Sequence, residues 1–319
     1  MKYMTFNSSC SFAGIANMLA QYGMDVEDRD IALGMDLPYL FDKDGDSYLA
    51  GPMLQSAQWF NRYLHTIGFH LQEEPVAKAA VPDHLRGKAY AMLGLRVSPE
   101  SKHAVIYIGC ELADGKNIDV KNTNYEHMER DSNGEEICDR VEEHYLFLNN
   151  KWQQSDEPEQ FVYTRQELLE RLDETAMIAT VVPLAQQVPS PAARDVSKGS
   201  DPSSIRVLSR ETLYQHSCAV LEEWKQDVQV FCGTEKSPTE IRLAMNTLFR
   251  AVLLDAVTML ELAERHALAD TLRAIRREFL GVVRSGKAVV LAKEMSMPVL
   301  LGAVDQYIDW IRDAVKTVN

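Results

Sequence analysis

The chain has 319 residues, 46% hydrophobic and 25% charged, with a formal net charge of −14 at pH 7. That length can bury a large core and favours two domains over one. The acidic balance argues against a nucleic-acid binder, which needs a basic face for phosphates, and no apolar run is long enough to span a bilayer, so neither nucleic acid nor membrane is an expected partner.

The acid is concentrated at one end: residues 1–200 carry 18 Lys and Arg against 31 Asp and Glu, and residues 201–319 carry 15 against 16. The start, "MKYMTFNSSC", lacks the basic segment and apolar stretch of a secretory signal, which predicts a cytoplasmic protein. Five widely spaced cysteines (Cys10, Cys110, Cys138, Cys218, Cys232) form no C-x-x-C pair, so a disulfide framework and a structural zinc site are not expected.

In chain order, Ser8 or Ser9 can cap a first helix that begins near Cys10 and closes at Gly23. Residues 28–50 form a loop-rich insert, and a second helix follows Pro52 and ends at Gly68. β-like runs follow at 69–73, 89–97, 103–112, 116–122 and 144–149, then a helix with a Thr164/Glu167 capping box and a last strand at 176–184. The "ADG" between 103–112 and 116–122 predicts a hairpin. Residues 186–204, rich in Pro, Ser and small side chains, read as a linker.

Beyond the linker the pattern is almost wholly helical. Ser237, Pro238 and Glu240 give a sharp start to a long amphipathic helix over about 237–266, and Gly286 closes the next. The expected architecture is α+β: a mixed domain over 1–185, the linker 186–204 and a four-helix bundle-like domain over 205–319. Those C-terminal helices are also the candidate surface for homo-oligomerisation or partner selection. "RAIRREF", residues 273–279, reads as a basic, solvated helix face.

Cys10 in the first turn of a helix has the setting of a reactive thiol: the helix dipole favours a thiolate, and first-turn N–H groups can hold an oxyanion. His103, at the start of a strand, can take the thiol proton. A third group must orient the imidazole, and a hairpin over 103–122 would return Asp119 or Asn122 to its side. Strand alternation favours Asn122, which shares a face with Ile118 and Val120.

These stretches resemble the papain-like cysteine peptidases. "HAVIYIGCELADGKNIDVKNTN" is similar to that family's segment between a His-Ala-Val strand and a Lys-Asn-Ser-Trp end. The order "LAQYGM", "YLHTIGF", "HAVIYIG" resembles more closely the bacteriocin-processing peptidase-like branch and the acyltransferase-like N-terminal domain of butirosin-biosynthesis proteins. The resemblance covers about residues 1–185. It implies a papain-like fold with Cys10 as nucleophile, His103 as base and Asn122 as orienting residue. Met4 stands where the family has its oxyanion glutamine, so Asn7 is the nearest upstream amide for that role.

The implied activity is a thiol-dependent hydrolase or acyltransferase acting on a peptide or acyl substrate. The alternative is a degenerate papain-like scaffold whose helical domain binds partners. Tyr39, Phe41 and Tyr48 of the insert are candidate substrate contacts. No G-x-G-x-x-G or G-x-x-x-x-G-K-S/T motif occurs, and the aspartates of "DKDGDSYLAGPM" miss calcium-loop spacing. No cofactor and no metal are expected.

Overall fold

The computed structural model describes residues 1–98, 101–112, 128–130, 136–138, 143–151, 159–186 and 208–317. Helix α1 (Cys10–Ala20) is followed by α2 (Asp28–Gly34), the hairpin of β1 (Phe41–Asp44) and β2 (Ser47–Ala50), and α3 (Ala57–Leu64). Next come β3 (Phe69–Ala77), α4 (Val81–Arg86), β4 (Ala91–Ser98) and β5 (Ser101–Leu112). A minor hairpin, β6 (Met128–Arg130) with β7 (Glu136–Cys138), precedes β8 (Glu143–Leu148), β9 (Gln160–Thr164), α5 (Arg165–Glu170) and β10 (Thr175–Pro183). The remainder is helical: α6 (Arg210–Cys232), α7 (Pro238–Thr247), a π-helical turn (Ala251–Asp255), α8 (Ala256–Leu262), α9 (His266–Ser285), α10 (Leu291–Glu294) and α11 (Met297–Thr317). The class is α+β.

The chain divides into two compact units, but not by a single cut. One is Met1–Asp28 with Leu64–Gln187; the other is Arg29–Tyr63 with Val188–Asn319. The sequence expectation of contiguous domains over 1–185 and 205–319 is therefore corrected for the insert. The linker expected at 186–204 lies, apart from Gln186, outside the described residues.

The first unit is built on a six-stranded sheet of order β3-β10-β4-β5-β8-β9, with every neighbouring pair antiparallel. One face carries Leu93, Leu95, Val105, Tyr107, Tyr145 and Phe147 against Val81 and Leu85 of α4 and Leu168 of α5. The opposite face receives α1, whose residues Phe12 to Leu19 are all buried, as an all-round apolar helix requires. A Cβ at Gly14 would collide with Met92 Sδ and lie 3.1 Å from Ile106 Cδ1, so the glycine lets helix and sheet approach closely. The Thr164/Glu167 capping box forms as its spacing predicts, with both reciprocal bonds present. Strand β9 was not anticipated.

In the second unit the insert is core. Phe41 N–H donates to Ser217 Oγ (2.9 Å), and Tyr307 Oη–H donates to Pro38 O (2.8 Å). Tyr39 stacks between Tyr214 and Trp310 at centroid distances of 5.0 and 4.5 Å, and Phe41 meets Tyr307 edge-on. Tyr48 is buried and donates to Asp227 (2.6 Å), beside Lys43. Packing within the unit engages all three rings of Tyr39, Phe41 and Tyr48, the candidate substrate contacts of the insert. The reason is area: aromatic side chains bury more than a short insert can cover alone.

The helix expected over 237–266 starts as predicted, with the Ser237/Glu240 capping box and Pro238 at its first turn. It does not run on. Phe249 N–H donates to Ala244 O (2.9 Å) and Ala256 N–H to Ala251 O, each five residues back, and the chain bends by 56° between Pro238–Thr247 and Ala251–Leu262. A π-turn of this kind is a recognised cause of helix bending. No single described helix is long and apolar enough to cross a membrane.

Trp224 is fully buried in this unit and donates Nε1–H to Leu248 O at 2.6 Å. Trp224→Ala should lower the unfolding free energy by about 3–5 kcal/mol, through lost burial and an orphaned carbonyl. Trp224→Phe should cost less. The check is the denaturant midpoint at constant slope.

Candidate active site

The turn before Cys10 is shaped by an aspartate that sequence reasoning missed. Asp28 is fully buried and accepts from Thr5 N–H (2.7 Å), Thr5 Oγ1–H (2.6 Å) and Ser9 Oγ–H (2.6 Å). Ser9 Oγ also reaches Phe6 O (2.8 Å), so its hydroxyl serves the turn and does not cap the helix. Ser8 sits at φ +63°, the left-handed conformation that swings the chain into α1. The only sequence signal for this anchor is an acidic residue at the edge of the insert, and a buried position cannot be told from a solvated one there. Cys10 opens the helix half-exposed, Met4 is buried and Asn7 is exposed.

Burial pushes the Cys110 and Cys232 thiols up to about 12 and raises that of Cys218 as well. These three are poor nucleophiles at neutral pH.

His103 lies near the start of β5, half-buried, but its strand neighbours differ from the expected hairpin. β5 pairs with β4 on one edge and with β8 on the other, in the register Ile106↔Leu148 to Leu112↔Glu143. The hairpin with 116–122 is thus corrected: β8 occupies that edge, because a strand has only two ladder edges. Asn122 and Asp119 lie outside the described residues.

The same register carries the chain past Leu148 to Asn149 and Asn150, beside the His103 end of β5. Asn150 is fully buried. Its backbone O accepts from Met4 N–H (2.9 Å), and its Nδ2–H donates to Cys10 O (2.7 Å). That donation fixes the amide orientation, because only the nitrogen can donate to a carbonyl.

Asn150 Oδ1 and His103 Nε2 are both buried, and neither has a partner of proper hydrogen-bond geometry. Burial lowers the His103 pKa, and the Asn150 and Asn149 side chains oppose the shift by favouring the protonated ring. Asn149 is otherwise engaged, donating to Glu159 Oε2 (2.5 Å) and accepting from Lys151 N–H (3.1 Å). Asn150 Oδ1 is the wholly unpartnered acceptor of the two, and it exerts the larger effect on His103.

No hydrogen bond joins Cys10 Sγ to His103 among the described residues. Alternation along β5 groups His103 with Val105 and Tyr107, and opposite Leu95, whereas Ile106 faces α1 across Gly14. The site therefore joins the cysteine turn and the histidine through Asn150.

With its pKa lowered, His103 should titrate below the ordinary histidine value of about 6.5. Its contribution to stability is then complete above about pH 6.5 and is lost as pH falls through the folded value. A histidine-resolved NMR titration checks the midpoint.

The chain matches no protein-family model and no curated protein.

Proposed function

We propose that the first unit performs thiol-dependent acyl chemistry, with Cys10 as nucleophile, His103 as base and Asn150, in place of Asn122, as the orienting residue. The observation that carries this reading is the amide of Asn150, which donates to Cys10 O while its buried Oδ1 and the buried Nε2 of His103 both lack a partner. If Nε2–H donates to Oδ1, the Nδ1 lone pair is the one that accepts the thiol proton.

Cys10 Sγ then attacks an amide or thioester carbonyl. The new S–C bond pushes the carbonyl electrons onto oxygen, with N–H groups at the start of α1 as candidate donors to that oxyanion. Collapse expels the amine or thiol, which leaves with the proton carried by His103. Water or an amine, deprotonated by His103, releases the acyl group. A peptide or acyl compound is the proposed substrate class. A cytoplasmic setting and self-association through the C-terminal helices belong to the same reading, and the four free cysteines among the described residues suit a reducing compartment.

The separation of His103 from the face that carries α1 favours a second reading, a non-catalytic scaffold. Alkylation separates the two. In a Cys138→Ser background, Cys10 should react with iodoacetamide at pH 6 at least about tenfold faster than a free thiol of pKa about 8.5. His103→Ala should erase the excess. A free-thiol rate that His103→Ala leaves unchanged would establish the scaffold.

A further inference from the structure

The second unit holds a cavity that the proposed acyl chemistry does not use. It measures about 150 Å³ and lies at the bend, between the α7–π segment and α9. Its apolar wall includes Phe249, Leu253, Phe279 and Leu280, and two guanidinium groups, Arg250 and Arg276, also line it. Phe249 and Phe279 pack at a centroid distance of 4.3 Å.

The charges are set by the π-turn. Residues five apart lie about 140° apart round an α-helix, at 3.6 residues per turn. Widening the turn brings Arg250 and Asp255 onto one side, and Arg250 Nε reaches Asp255 Oδ2 at 3.1 Å. Asp255 is 2% exposed. Burial raises its carboxyl to about 6, and both Arg250 and Arg276 oppose that shift, so both cations act on this one carboxylate. Arg273 of the same helix is spent on Glu261 and Asp270. Arg276 has no ion pair among the described residues.

Two cations and one ionised carboxylate leave one positive charge beside an apolar wall. A cavity of this size admits a body of about benzene dimensions. A bare inorganic anion would leave the aromatic wall unused, and a neutral hydrocarbon would leave Arg276 uncompensated. We infer that the cavity binds a small amphipathic monocarboxylate, its carboxylate on Arg276 and Arg250 and its apolar body against Phe249, Leu253, Phe279 and Leu280.

The test uses the full chain and amide NMR with four probes: benzoate, hexanoate, benzyl alcohol and inorganic phosphate. Benzoate and hexanoate should shift resonances of residues 245–280 saturably. Benzyl alcohol and phosphate should each bind at least tenfold more weakly. Arg276→Gln should weaken benzoate at least tenfold, and Arg276→Lys should weaken it less, with an unchanged amide spectrum away from the cavity reporting an intact fold. Benzyl alcohol binding as tightly as benzoate would mark an apolar void only. Phosphate binding as tightly would mark a simple cationic patch. Either result, an absence of saturable shifts, or indifference to Arg276→Gln overturns the assignment.

Discussion

Asn150→Ala should lower thiol-dependent turnover about 100-fold or more, while Asn122→Ala should leave it unchanged. The amide serves two neighbours. In the proposed triad it would supply His103 with the acceptor that selects the Nε2–H tautomer, and loss of a group that orients a catalytic imidazole removes much of general-base catalysis. Toward Cys10 it satisfies a backbone carbonyl at 2.7 Å, and losing that bond costs about 1–3 kcal/mol.

Asn150→Asp separates the two roles. A carboxylate keeps an acceptor for His103 but cannot donate to Cys10 O. The variant should recover part of the activity, with its acid limb moved to higher pH because a nearby negative charge raises an imidazole pKa. It should not recover the stability. Kinetics against pH, set beside denaturant midpoints, distinguish this from a merely structural asparagine, for which activity and stability would fall together in both variants. Loss of turnover in Asn122→Ala with none in Asn150→Ala would return the orienting role to Asn122.

Asp28→Ala should destabilise the first unit by about 1–3 kcal/mol, the range for buried donors that lose their acceptor. It removes the acceptor of Thr5 N–H, Thr5 Oγ1–H and Ser9 Oγ–H, of which only Ser9 is fully buried and Ser9 Oγ keeps Phe6 O. Because those groups form the turn that presents Cys10, alkylation of Cys10 should lose its enhancement at pH 6 even where the variant remains folded. Asp28→Asn keeps the shape and one acceptor oxygen, and should cost less. Urea denaturation gives the stability, and alkylation below the transition gives the effect on the thiol. A midpoint close to wild type for Asp28→Ala would show that the network contributes little.

Local chemistry was legible wherever it is settled within a few residues. The capping boxes at Thr164 and Ser237 form because their partners lie three positions on. Gly68 ends its helical stretch at φ +84°, a conformation that favours glycine. The apolar strands and the all-round apolar α1 follow from composition and period. Pairing at a distance was not legible. "ADG" is an adequate turn signal, yet β5 pairs with β8, about thirty residues further on, because ladder partners are chosen by the whole sheet. With the strand exchanged, the amide proposed for the orienting role is Asn150.

The sequence by itself determined an α+β chain with helices after its Pro- and Ser-rich stretch, a cysteine at a helix start and a histidine on a strand. Only the tertiary structure decided that residues 29–63 belong with the C-terminal helices, that Asp28 holds the cysteine turn and that the Asn150 amide donates to the Cys10 carbonyl. It also decided that the helix after Pro238 opens into a π-turn beside Asp255. The physical reason is common to all four. Propensity and periodicity act over one or two turns of chain, whereas burial of an aromatic insert, satisfaction of a buried carboxylate and choice of a ladder edge depend on groups far apart in sequence.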